Sequence, residues 1–328
     1  MQNAPSSVVD ASGRPRVGTY AGWVPGVSWD TAAGRVRRTL QGKTWHYVGI
    51  AAPTCFAAFA IIDLGWVQSA FAYVFDRERR VLAADLSFVG IPGRTAHVAD
   101  RAGEGARSTW RGRGAELSLE RAPGATTWQV RANASGMTLS AELATAAAPP
   151  TMCAIAKIDG GVGNCTHKTV GLAASGVIEA GGRRWDLDPA SATGMLDHTR
   201  GILARDTRWR WAMASRPGLG FNLVEGFNGP VENVAWVGET IVPLGAARFE
   251  FDARDPMKPW HVSAGAGALD LEFQPEGRRG EDKNLVLAMS RYVQPIGTFR
   301  GVIRPGEGGA PIDVRDLCGV TEDHAARW

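Results

Sequence analysis

The chain has 328 residues, 45% of them hydrophobic and 21% charged, enough apolar material for one large domain or two ordinary ones, which excludes disorder as its main state. Thirty-six Lys and Arg against 33 Asp and Glu leave a formal charge of +3, too near balance for a phosphate-backbone footprint, so nucleic acid is not an expected partner. Four cysteines, Cys55, Cys153, Cys165 and Cys318, are too few and too scattered for a disulfide framework and fit a reducing, cytoplasmic setting.

Residues 1–19 hold no apolar run behind their charges, so they read as a flexible arm rather than a signal peptide or anchor. From Tyr47 to Phe75 the only charge is Asp63, and the run exceeds the roughly 20 residues of a spanning helix. Pro53, the Asp63-Leu64-Gly65 break and Gln68 divide it into pieces of strand length, so no membrane span is expected. Short segments rich in Val, Ile, Phe and Trp follow, bounded by Gly, Pro or Asp-Arg turns: Thr44 to Ile50, Phe56 to Leu64, Ser69 to Phe75, Arg79 to Val89, and on to Met137 to Leu143. This is all-β punctuation, with short helices conceivable only near Ala51 to Ala60 or Arg315 to Arg327. The small, proline-ended stretch AELATAAAPP marks a boundary, giving β domains at 20–146 and 147–328. A shift of 164 residues lays Trp45-His46-Tyr47 on Trp209-Arg210-Trp211 and Gly65 on Gly229, a weak internal repeat that agrees with two β units of similar build.

Many short antiparallel strands must hide their edges, and closure into barrels or sandwiches does so. A barrel of about eight strands can enclose one small ligand. Gly194-Met-Leu-Asp197-His198-Thr-Arg200-Gly201, Thr207-Arg-Trp209-Arg-Trp211, Gly220-Phe-Asn222-Leu-Val-Glu225-Gly226 and Glu232-Asn233-Val-Ala-Trp236 resemble a bacterial family known as domain of unknown function 2804. Gly297-Thr-Phe299-Arg-Gly301 and Leu317-Cys-Gly319-Val-Thr-Glu322-Asp-His324-Ala-Ala-Arg327-Trp328 resemble its closing signature, and the likeness spans about residues 20–328. More distantly, the family is similar to paired lipocalin-like barrels, as in carotenoid hydratases and certain pericyclases. That resemblance implies two packed calycin-type barrels, an apolar pocket between or within them, and cofactor-free lyase or isomerase chemistry.

Side-chain chemistry supplies the candidate residues. Asp197, His198 and Arg200 bring a carboxylate, an imidazole and a guanidinium close in sequence. They can form an acid–base site with Arg200 orienting the ligand, or Asp197 can pair with Arg200 to pin a loop. In an extended chain Asp197 and His198 point to opposite faces, so they cooperate only if the backbone turns between them. Alternation after Phe221 sets Glu225 in an aromatic row, where it can stay protonated as an acid. If the other face lines the pocket, Asn222 and Asn228 become ligand-orienting amides and Glu225 an exterior residue. Glu232 and Trp236 are further pocket candidates. Trp45, Tyr47, Trp209 and Trp211 can wall the pocket or fill the core, and His46, opposite Trp45 and Tyr47, faces either solvent or cavity.

Cys153, Cys165 and His167 are near in sequence, but the second element of a closed zinc site is missing, so no metal is expected. Asp159 to Thr169 lacks the context of a phosphate loop and reads as a glycine-rich hairpin or loop, and no Gly-x-Ser-x-Gly elbow occurs. The sequence thus points to a protein that needs no cofactor and encloses a hydrophobic small molecule. It is either a hydratase, lyase, isomerase or cyclase acting by proton transfer, or a non-catalytic lipid or pigment carrier.

Overall fold

A computed structural model describes residues 1–284, 289–306 and 309–328. Almost every element is a strand; one short α-helix, Arg35–Gln41, precedes the first long strand. Among the described residues the strands form two antiparallel sheets, of 14 and 9 strands. Each curls on itself into a lipocalin-like barrel.

The first sheet runs from Val81–Gly90 through Gly42–Ala51, Thr193–Ile202 and Gly163–Ala180 to Ala106–Gly112 and Ala96–His97. Its inner face is filled by Phe59, Trp110, Leu119, Trp128, Leu139 and Ile178. The second sheet centres on Asp206–Arg216, Ile312–Arg327 and Met289–Ile303, and Phe221, Phe249, Trp260, Phe273 and Phe299 fill its interior. A third core joins the outer faces of the two, with Phe56, Tyr73, Phe75 and Met195 meeting Met213, Val234, Trp236 and Val320.

This middle layer explains the long apolar run near the N-terminus. In Cys55–Asp63, Ala57, Phe59 and Ile61 point into the first barrel while Phe56, Ala58 and Ala60 point toward the second sheet. A strand buried on both faces loses its polar alternation and reads as continuous hydrophobicity. Gly277 permits the close approach of layers, since a Cβ there would sit 2.2 Å from the Phe75 ring, and Gly319 permits that of neighbouring strands in the second sheet, where a Cβ would sit 2.3 Å from the Met213 carbonyl oxygen.

Three sequence expectations need correction. The 146/147 boundary falls inside the first sheet: Met152–Lys157 pairs with Gly163–Ala180, which pairs with Met137–Ala144. The chain changes sheets between Ile202 and Asp206. Pro149 and Pro150 stiffen a connection within the first barrel. Residues 1–19 pack rather than trail, with Val8 and Val9 buried beside Cys153 and Ile155. Neither candidate segment is helix: Ala51 to Ala60 spans the bend between Gly42–Ala51 and Cys55–Asp63 and the first residues of the latter, and Arg315 to Arg327 is strand. Of the glycine-rich hairpin or loop expected at Asp159 to Thr169, residues 159–162 form the turn between two paired strands, and Gly163 onward is strand.

Candidate active site

Side chains plug both barrel interiors, but the middle layer opens into a cavity of about 270 Å³ between the sheets. Trp45 and Tyr47 of Gly42–Ala51, with Phe71 and Phe88, form one wall. Trp209 and Trp211 of Asp206–Arg216, with Phe227 and Tyr292, form the other. Two polar clusters are set into these aromatic walls.

The first is built around Lys168. Register pairing puts Lys168 opposite Asp197, whose own partner on the other side is Tyr47. Lys168 Nζ lies 2.7 Å from Asp197 and 3.0 Å from Glu232, and 5.5 Å from the centre of the Trp211 ring. Burial opposes its charge, but the two carboxylates outweigh that and hold the ammonium above its ordinary range. Two carboxylates against one ammonium leave a surplus negative charge, which neutral donors disperse. Trp45 Nε1 donates to Asp197 at 3.1 Å and Thr199 Oγ1 at 3.0 Å, while Asn228 donates to Glu232. Asn222 donates to the Glu232 carbonyl and accepts from Trp211 Nε1. Tied together by these hydrogen bonds, the cluster is a rigid polar end for the cavity.

The second cluster lies on Met289–Ile303 and Ile312–Arg327. His324 Nδ1 is 3.2 Å from Glu322 Oε1, and His324 Nε2 is 3.1 Å from Ser290 Oγ. Glu322 also accepts from Trp209 Nε1 at 2.9 Å and Gln294 Nε2 at 2.8 Å, and Gln294 Oε1 accepts from the buried Tyr73 hydroxyl at 2.6 Å. The His324 ring lies 4.1 Å from Trp209 and 5.3 Å from Tyr292, centre to centre. A carboxylate on Nδ1 fixes the tautomer and leaves Nε2 as the basic atom, beside a hydroxyl in the cavity.

The sequence candidates divide by face. Trp45, Tyr47, Asp197, Trp209, Trp211, Asn228 and Glu232 line the cavity, and Asn222 supports it from behind. Thr193–Ile202 is unbroken strand, so His198 points away from Asp197. Its Nε2 donates to the Ala99 carbonyl at 2.8 Å, and its ring stands 5.1 Å from that of His46. His46 is buried on that same side, between Ser108 and Trp128. Arg200, with Nη2 on the Val98 carbonyl, shares the His198 face of the strand and does not pair with Asp197, which Lys168 holds on the other face. Glu225 pairs with Arg210 at 2.7 Å on a partly exposed face, the exterior alternative of the two open at that strand. Trp236 is buried in the middle core, with its indole N–H on the Pro150 carbonyl.

Sequence reasoning missed Lys168, Ser290, Glu322 and His324. Alternation within Thr166-His167-Lys168 and Glu322-Asp323-His324 carries their signal, since each pair i, i+2 shares a face. The register that sets them against Asp197 and Trp209 is a long-range fact.

Comparison with known proteins follows this geometry. No curated protein matches the chain. Kievitone hydratase from Nectria haematococca aligns over 100% of this chain and 97% of its own, at 12% identity and a TM-score of 0.54. CghA, crystallised with Sch210972, aligns over 99% of this chain and 97% of its own at 12% identity and 0.54. A protein described as ATTH from Nitrosomonas europaea aligns over 88% and 92% at 13% identity and 0.54. Such identities show a shared fold, the paired lipocalin-like barrels. No described helix is long and apolar enough to cross a membrane. Residues 1–328 match the family described as Domain of unknown function (DUF2804), and the chain belongs to it.

Proposed function

We propose that the protein binds a hydrophobic small molecule between its barrels and moves a proton on it without a cofactor, in a hydration, elimination, isomerisation or cyclisation. Glu322 and His324 exchange the proton through His324 Nε2. Lys168, Asp197 and Glu232 hold the polar end of the ligand, and the tryptophan faces stabilise positive charge that develops on it. The observation that carries this reading is the Glu322–His324 pair, held by Trp209, Gln294 and Tyr73, inside an aromatic cavity. A carrier needs the aromatic walls but no oriented carboxylate–imidazole pair. Of the structural neighbours, one is named a hydratase and one was crystallised with Sch210972, which supports a small-molecule ligand. The four cysteines are free and buried, in keeping with a reducing cytoplasm.

The test is native mass spectrometry of protein purified from its own host, to capture a co-purifying apolar compound. Conversion of that compound is then compared between wild type and Glu322→Gln. Loss of turnover with ligand retained supports the enzyme; a compound that wild type binds and never converts supports a carrier and overturns it.

A further inference from the structure

On the face of the first sheet away from the cavity, Met152–Lys157 and Gly163–Ala180 bring three soft donors together. Cys153 stands opposite His167 in the strand register, and Cys165 lies two residues before His167 on the same face. The two Sγ atoms are 3.9 Å apart, and Cys165 Sγ is 3.9 Å from His167 Nε2. The three donor atoms all fall within 4.8 Å of one another. None of the three residues is more than 1% exposed. Val8, Val24, Val27 and Trp29 from the N-terminal segment close over them.

We propose that Cys153, Cys165 and His167 bind one monovalent soft d¹⁰ ion, copper(I), in a three-coordinate site that fastens the N-terminal segment to the sheet. Thiolate and imidazole donors select soft ions over magnesium or calcium. Coordination number then separates copper(I) from zinc(II). Zinc wants four donors, and its catalytic sites fill the fourth position with water. This pocket is sealed from solvent, and among the described residues no fourth ligand-bearing His, Cys, Asp or Glu joins the group.

His167 Nε2 is the unprotonated nitrogen, since it accepts the Val24 backbone N–H at 3.2 Å, and an ion bound at that atom takes the lone pair in place of this hydrogen bond. Arg200, the register partner of Cys165 on that face, has a buried Nε without a hydrogen-bond partner. Its permanent charge helps balance two thiolates around a single positive ion.

The experiment uses the full chain, reduced and metal-free under anaerobic conditions, titrated with copper(I) against bicinchoninate and separately with zinc(II). One equivalent of copper(I) is expected, with ultraviolet thiolate-to-copper absorption and a raised Tm. Cys153→Ser and Cys165→Ser should each abolish it, while Cys55→Ser and Cys318→Ser keep it. Circular dichroism of the metal-free variants confirms that they are folded, and X-ray absorption of the copper(I)-loaded wild type, expected to show two sulfur neighbours and one nitrogen, gives a second readout. Absence of binding, binding that survives both serine variants, or preferential one-to-one binding of zinc(II) would overturn the assignment.

Discussion

The indole rings of Trp45 and Trp209 stack 6.4 Å apart and within 13° of parallel across the cavity, and each donates its N–H to a carboxylate of its own barrel. Their neighbours repeat the arrangement, with Tyr47 and Trp211 meeting edge to face at 5.7 Å. In the first barrel Trp45 pairs with Thr199 and Tyr47 with Asp197. In the second, Trp209 pairs with His324 and Trp211 with Glu322. The halves are thus equivalent in plan and different in chemistry. Asp197 faces a lysine and a threonine, whereas Glu322 faces a histidine, so a mobile proton belongs to the second half. Trp45→Phe and Trp209→Phe each leave a cavity carboxylate short of one donor, and each should cost about 1–3 kcal/mol in urea unfolding. Only Trp209→Phe should also shift the pH profile of turnover; equal profiles would refute the asymmetry.

Lys168 is the ammonium that two buried carboxylates share, so its removal should be costly. Lys168→Met leaves Asp197 and Glu232 unpaired in a closed site, and an expected loss of about 3–5 kcal/mol should appear as a lower urea midpoint. Adding Asp197→Asn and Glu232→Gln removes the stranded charges and should recover much of it. A triple variant no more stable than the single one would show that packing, rather than charge, sets the cost.

How far these residues could be read from the chain depends on the range of the interaction that places them. The all-β class follows from strand alternation and turn residues, which are local, and Trp45 with Trp209 even shows as a repeat, whereas the paired barrels are implied by the family resemblance and alternation alone leaves the tryptophans between cavity wall and core. The His198 side is a different matter. Alternation already set Asp197 and His198 on opposite faces, and the unbroken Thr193–Ile202 strand means no turn brings them back together. Lys168 and Glu322 stand on strands whose neighbours lie far away in sequence, and only the register shows what they oppose.

The contrast between Glu225 and Glu322 gives a sharp test of the assignment. Glu225 shares a partly exposed ion pair with Arg210, and such pairs contribute about 0–1 kcal/mol. Glu225→Gln should therefore leave stability and turnover close to wild type. Glu322→Gln keeps shape but removes the charge that orients His324, and turnover should fall on the order of 10²–10⁴-fold. A Glu225→Gln protein that folds normally and loses turnover would move the proton donor to the other face.

Acid stability should report the buried histidines. Burial foremost, and then the neighbouring His167, push His198 from 6.5 down to about 3; burial likewise holds His46 well below its ordinary value. Above pH 6.5 neither the folded nor the unfolded chain binds protons at these sites, and their contribution to stability is complete. As the pH falls through 6.5 the unfolded chain takes up protons that the folded one refuses, so stability declines by about 1.4 kcal/mol per pH unit for each such histidine. Ordinary carboxylates join only below about pH 5, which leaves the interval above it to the imidazoles. His198→Gln retains an N–H for the Ala99 carbonyl and cannot titrate, so its urea midpoint should fall less steeply than wild type over that interval. Parallel slopes for the two proteins would mean that His198 is open to protons in the native state, contrary to its closed position behind the Asp197 strand.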